Sequence, residues 1–212
     1  MSAPPLVTIT RQYASGGSEV ASLVAETLGW TLIDNEFVDE VARRAGLPAE
    51  EVAQREERAP GLLERLARAL AISSPEMFLT TTGVPRVEQD EADIVRLTER
   101  IIREAAASGR VVLVGRGAQA LLAEREDALH VYVVASKAWR QRLAVERLGV
   151  PPTNAAHVVD DIDRQRDHYV KTYFGRARQD VTNYDLVLNA QKLGFAGAAA
   201  LVVAEARRRG WT

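Results

Sequence analysis

Two rhythms alternate along this chain. Short apolar runs rich in β-branched residues recur, and longer stretches with a period near four separate them. The runs are LVTIT at 6–10, TLI at 31–33, VVLV at 111–114, LHVYVV at 129–134 and DLVLN at 185–189. VVLV is apolar throughout, as in a strand buried on both faces of a parallel sheet. After the first run, Val20, Val24 and Leu28 repeat every four residues with Ala21 and Ala25 beside them. That spacing predicts an amphipathic helix, and Gly29 supplies its stop. Two helices are expected between the fourth and fifth runs. Ser136 can cap one that ends near Gly149. The other starts after Pro151-Pro152, with Thr153 or Asn154 as cap, and reaches Phe174-Gly175. An Ala-rich tail from about 195 to 209 ends in Arg207-Arg208-Arg209, cations that suit a helix carboxyl end.

A strand–helix–strand rhythm of this kind predicts a parallel α/β sheet with right-handed crossovers. Residues 35–109 break it, being too long for one crossover. They read as several helices, at about 36–45, 48–57, 60–71 and 87–107, with breaks at Ser73-Ser74-Pro75 and Gly83-Val84-Pro85. We therefore expect a single domain over 1–212 carrying a helical insertion at 36–108, a lid or substrate-binding subdomain.

Composition narrows the class. At 212 residues, 47% hydrophobic and 26% charged, the chain can bury a sizeable core. Its net charge of −2 gives no bulk attraction to a nucleic acid polymer or an anionic membrane. Zero cysteines exclude disulfides and thiolate metal sites. Residues 1–5 lack the regions of a signal peptide, and no apolar run approaches the roughly 20 residues of a membrane span. A cytoplasmic protein is expected.

Three stretches could carry chemistry. TRQYASGGSEVA, at 10–21, follows the first apolar run and opens the first helix. A strand, a loop of small residues and a helix start gather backbone N–H groups around one point, and the helix dipole favours an anion there. Ala14, Ser15, Gly16 and Gly17 leave room for phosphate oxygens, and Ser18 brings a hydroxyl suited to Mg²⁺. Against the usual G-x-x-x-x-G-K-[ST] loop, Arg11 replaces the first Gly and Gly17 replaces the Lys, while Gly16 and Ser18 match. A plain βα turn with glycines for tight packing fits the stretch equally well. VVLVGRGAQALL, at 111–122, ends a buried strand in Gly115-Arg116-Gly117. An arginine at the carboxyl end of a parallel strand faces the crevice where such sheets bind ligands, and guanidinium suits phosphate. In DDIDRQRDHYVKTYFG, at 160–175, Arg164, His168 and Lys171 share a helical face, with Arg166 to one side. Asp160, Asp163 and Asp167 can hold those cations, and a solvated, salt-bridged helix is the plainer alternative. Asp34 follows the second strand and serves as a crevice residue or a helix cap. His130 is expected to be structural, and Trp30, Trp139 and Trp211 to pack. No His/Asp/Glu cluster has metal spacing.

Together these blocks resemble the cytidylate kinase-like family, a branch of the P-loop nucleoside monophosphate kinases. The pieces, in order, are ITRQYASGGSEVASLVAETLGW, VLVGRGAQALL, VYVVASKAWRQRLA, DDIDRQRDHYVKTYFG and NYDLVLNAQKLG. The resemblance implies a three-layer α/β/α P-loop kinase core with a five-stranded parallel sheet in the order 2-3-1-4-5. It assigns the 36–108 insertion to the acceptor nucleotide and residues 150–178 to a lid-like helix. ATP and Mg²⁺ are the implied cofactors, and CMP or dCMP the implied acceptor. Arg116 matches an arginine facing the acceptor phosphate; beside the resemblance, Asp34, Gly117 and Lys171 are candidate substrate-binding residues by position. Arg164 and Arg166 fall at the lid arginines. The chain departs from the family pattern at four places. The phosphate-loop Lys falls on Gly17, the cytosine-reading Asp on Gly117 and a phosphate-binding Arg near Glu40, and no Asp ends the 111–114 strand. Arg11, at the mouth of the loop, is the residue expected to replace the missing ammonium. Nucleotides are the expected small-molecule partners, and Leu62, Leu63, Leu66 and Leu70, at helical intervals, suit either internal packing or a homodimer.

Overall fold

The computed structural model describes residues 4–34 and 91–211. The helices expected at 36–45, 48–57 and 60–71, Glu40 and the Leu62–Leu70 spacing lie outside the described residues.

Among the described residues the order is β1 (Leu6–Arg11), α1 (Gly17–Leu28), β2 (Thr31–Ile33), α2 (Glu91–Ser108), β3 (Val111–Val114) and α3 (Ala118–Leu121). Next come β4 (Ala128–Val134), α4 (Lys137–Leu148), α5 (Ala155–Phe174), a 3₁₀ turn (Val181–Asn183), β5 (Leu186–Asn189) and α6 (Ala190–Arg208). The strands form one sheet in the order β2-β3-β1-β4-β5. β1 pairs parallel with β3 from Leu6↔Val111 to Ile9↔Val114, and with β4 from Leu6↔Ala128 to Arg11↔Val133. β4 pairs parallel with β5 from Val131↔Leu186 to Val134↔Asn189. Helices cover both sides of the sheet.

Alternation along the strands sends Val7, Ile9, Val112, Val114, Leu129, Val131 and Val133 to one face. There they pack with Val20 and Val24 of α1 and Ala198, Val202 and Val203 of α6. The four-residue spacing of α1 is thus its inward stripe. Gly29, at φ 65°, closes that helix, and its N–H bonds to Ala25 and Glu26 carbonyls. Ser136 caps α4 by accepting from Trp139 N–H, as its position predicts. Asn154, one of the two expected caps, stands at the N-cap position of α5, but its side chain makes no capping bond to the helix. The tail helix begins earlier than expected, at Ala190, and kinks at Gly194, whose φ of 68° is non-helical. Trp30 and Trp211 pack together, ring centres 6.5 Å apart.

The chain divides into two compact units, Met1–Leu32 with Gly109–Thr212, and Ile33–Ser108. Within the second unit, α2 buries Val95, Thr98, Ile101, Ile102, Ala105 and Ala106, one stripe of an amphipathic helix. Asp34 directly follows β2 and is half-buried. Among the described residues no helix is long and apolar enough to cross a membrane.

Candidate active site

Strand order locates the crevice. From β1 the chain crosses over β3 to reach β2, and from β3 it crosses over β1 to reach β4. The loops after β1 and β3 therefore leave in opposite directions, and open α/β sheets bind ligands where this happens. Both loops carry unusual backbone. Ala14 has φ 55° and Gly16 φ 81° in the first, while Gly115, Arg116 and Gly117 have φ 73°, 52° and 70° in the second. Left-handed Ala and Arg are strained conformations, and such strain concentrates at ligand sites.

The loop after β1 is tied down from within. Ser15 N–H donates to the Gln12 carbonyl at 3.3 Å. The Ser15 hydroxyl, buried, reaches the carbonyls of Gln12 at 2.9 Å and Val133 at 3.1 Å. Gln12 in turn accepts from Ala135 N–H through Oε1 at 3.0 Å. The Ser15 side chain is thus turned inward. Gly16 is the N-cap of α1 and no side chain caps it. The first intrahelical bond runs from Val20 N–H to Gly16 C=O, at 3.0 Å. By helix geometry the N–H groups of Gly17, Ser18 and Glu19 then have no intrahelical acceptor and carry the positive end of the dipole. Gly16 and Gly17 are buried while Ser18 is exposed. A side chain at residue 16 would run into the Phe195 ring of α6.

Arg11, the last residue of β1, lies across this loop. Its Cβ occupies the place a side chain at Gly17 would take, with Cγ 3.0 Å and Cδ 3.5 Å from that position. Its guanidinium reaches the end of β3, where a Cβ on Gly115 would collide with Nη1. Arg11 therefore spans the two loops, and Arg116 follows directly. On the far side of Arg116, a Cβ on Gly117 would strike the Phe174 ring at the end of α5.

Helix α5 presents two unlike faces. Arg164, His168 and Lys171 are exposed, and Arg164, its side chain 69% accessible, pairs with Asp161 at 3.3 Å. The opposite face runs through Val159, Asp163, Arg166, Val170 and Phe174, with Val159 and Val170 buried. This face holds the phosphate-loop strand in place. Asp163 accepts from Tyr13 N–H at 2.9 Å and from Arg140 Nη1 at 2.6 Å. Arg140 also donates to the Tyr13 carbonyl at 3.1 Å. Arg178 donates to Asp167 at 2.6 Å and to the carbonyl of Arg11 at 2.9 Å. Arg166 reaches the same Arg11 carbonyl at 3.2 Å and stands over the Tyr13 ring at 5.7 Å. The backbone that launches Arg11 is thus gripped by two guanidiniums.

Burial sets the electrostatics of this cluster. It lowers the Arg166 pKa, and the like charge of Arg178 lowers it further. Burial also penalises Arg178, yet Tyr132 and the carboxylates of Asp167 and Asp163 outweigh that and raise its pKa. Tyr184 donates to the Arg178 carbonyl at 2.7 Å, and burial pushes its phenol up to about 12. His130 accepts or donates at Thr8 Oγ1, 2.7 Å from Nδ1, in the interior, and burial holds its pKa below the ordinary histidine range. Its structural reading from the sequence agrees with this position.

A model of the cytidylate kinase-like family matches residues 6–192. The chain belongs to the cytidylate kinase-like family. No curated protein matches it. Among solved structures, an uncharacterised protein from Eubacterium ventriosum is similar at 20% identity and TM-score 0.67, covering 95% of this chain and 97% of the other. Shikimate kinase from Acinetobacter baumannii, solved with shikimate, is similar at 11% identity and TM-score 0.53, covering 99% and 96%. Shikimate kinase from Bacteroides thetaiotaomicron matches at 13% identity and TM-score 0.53, covering 96% and 98%. At these identities the likeness shows the fold, which is that of the P-loop kinases.

Two residues of this family member's site escaped sequence reasoning, Arg140 and Arg178. Their signal was present. Val159 and Val170 mark the inward face of α5, and that face carries Asp163 and Asp167 as well as Arg166. Carboxylates on an apolar face require cationic partners from elsewhere in the chain. Among the described residues, no group of three or more His, Cys, Asp or Glu could hold a metal ion.

Proposed function

We propose that this chain is a phosphotransferase that moves the terminal phosphoryl group of ATP to a nucleoside monophosphate, with CMP or dCMP as first choice by family resemblance. The observation that carries the reading is the uncapped start of α1 at the switch point of the sheet, with Arg11 laid across it. Residues 14–18 wrap the donor phosphates, and the amides of Gly16, Gly17 and Ser18 donate to their oxygens. Arg116 and Lys171, with Gly117, form the acceptor side. Arg166, together with Arg164 once the lid is over the nucleotide, neutralises charge on the transferring group. An acceptor phosphate oxygen attacks the terminal phosphorus, the bond to the bridging oxygen breaks, and ADP leaves. Orientation and charge stabilisation suffice, with no covalent enzyme intermediate.

For Mg²⁺ the chain offers the Ser18 hydroxyl, exposed at the second position of α1. That fits a cation held mainly by phosphate oxygens and water. When bound, Mg²⁺ neutralises the donor phosphates. A second reading, a non-catalytic nucleotide sensor that serves a partner, is favoured by Gly17 at the lysine position and by the lack of an Asp at the end of β3. Incubation with ATP, Mg²⁺ and a panel of nucleoside monophosphates, following ADP, decides between them. Acceptor-dependent ADP release supports the enzyme. ATP binding by calorimetry without turnover supports the sensor, and no binding removes both. We place the protein in the cytoplasm as a homodimer that binds nucleotides and not a nucleic acid polymer or a membrane. Sedimentation tests the dimer.

A further inference from the structure

We propose that Arg11, Gly17 and Gly115 are one device. The cation of the phosphate loop has moved from the first turn of α1 to the end of β1, and the two glycines exist to let its side chain pass. This rests on the phosphate-loop reading above and names the group that binds the donor polyphosphate.

The argument is steric first. Any side chain at residue 17 would overlap Arg11 Cβ and crowd Cγ, 3.0 Å away. A lysine at 17 and the observed Arg11 therefore exclude each other. Any side chain at residue 115 would overlap the guanidinium itself. Removing side chains at two positions, on two different loops, leaves one continuous path, and Arg11 fills it. Next comes preorganisation. Arg166 and Arg178 hold the Arg11 carbonyl at 3.2 and 2.9 Å, so the arginine leaves a fixed backbone. Electrostatics completes the case. The aliphatic part of Arg11 runs along Gly17 and its guanidinium ends at Gly115, so a polyanion bridging the start of α1 and the end of β3 is attracted by the helix dipole and by the guanidinium together. Arg11 is thus the phosphate-binding residue, and Gly17 and Gly115 are positioning residues.

Inorganic tripolyphosphate, titrated calorimetrically, is the probe, with circular dichroism checking the fold of each variant. Arg11→Ala should weaken binding roughly 10- to 100-fold, the loss of a charge-assisted contact. Gly115→Ala should weaken it similarly, because the new methyl displaces the guanidinium. Its φ of 73° lies in the left-handed region that Ala14 also occupies, at 55°, in this protein. In the Arg11→Ala background Gly115→Ala should cause no further loss. Gly17→Lys alone should bind poorly, and Arg11→Gly/Gly17→Lys should recover affinity, since the ammonium then has both the position and the space. Arg11→Ala binding like the wild type would overturn the inference, as would losses at 11 and 115 that multiply. Failure of the wild type to bind either tripolyphosphate or ATP would overturn the phosphate-loop reading itself, and this inference with it.

Discussion

His130 shows at the scale of one residue how burial turns into pH dependence. It sits in β4, bonded to Thr8 of β1, and stays neutral because the interior penalises its charge. Its folded pKa lies below its unfolded one, so the unfolded chain binds the proton more readily. The stability tied to this group is therefore present above the unfolded value, about 6.5, and is lost as pH falls below it. Urea midpoints measured from about pH 7 down to pH 5 should decline. Replacing His130 by Asn should shallow that decline; an equal slope in the variant would assign it to other groups. Gly117 illustrates the opposite dependence, of a residue on its neighbour. The Phe174 ring occupies the space a side chain there would need, so the loop after β3 is shaped by the end of α5.

Helix α5 is the element in which sequence and structure part most instructively. Counting cations along it gives Arg164, His168 and Lys171, all of which are exposed. Counting apolar residues gives Val159 and Val170, and these define the face that meets the rest of the fold. Asp163 on that face holds Arg140 and Arg178, whose side chains are 7% and 4% accessible. Breaking such a pair leaves a buried charge uncompensated, which costs about 3–5 kcal/mol. Asp163→Ala should lose stability of that order in urea unfolding, and tripolyphosphate binding with it, since Tyr13 N–H loses its acceptor too. Asp160 pairs with Lys137 in the open, both side chains about half accessible at 48% and 52%. Screening makes that pair weak, and Asp160→Ala should leave the midpoint near the wild-type value. Equal losses in the two variants would contradict the bracing role of Asp163.

For the whole molecule, ligand linkage gives the simplest measurement. A protein that binds MgATP only when folded gains about 2.7 kcal/mol at a hundred times Kd. For a chain of this length that corresponds to a rise in thermal midpoint of about 5–10 °C. We expect that rise with MgATP, and none with the nucleoside adenosine, which has no phosphates for the amides of α1 to hold. No rise with MgATP would argue against the phosphate-loop function as a whole.

The hydrophobic pattern alone determined the five strands, α1, α4 and α5, the parallel class of the sheet and the two loops that flank the crevice. Each rests on local periodicity or a local stop, such as VVLV for β3 or Gly29 after α1, and local order is written in consecutive residues. The ordered motif blocks carried the family and, through it, the 2-3-1-4-5 order. Tertiary structure alone decided that the Ser15 hydroxyl turns inward, that Arg140 and Arg178 brace the loop, and that Arg11 runs past Gly17 to Gly115. These facts join residues up to 167 positions apart, such as Arg11 and Arg178. No spacing rule reaches that far, because side-chain paths are set by which atoms already fill the space between strands.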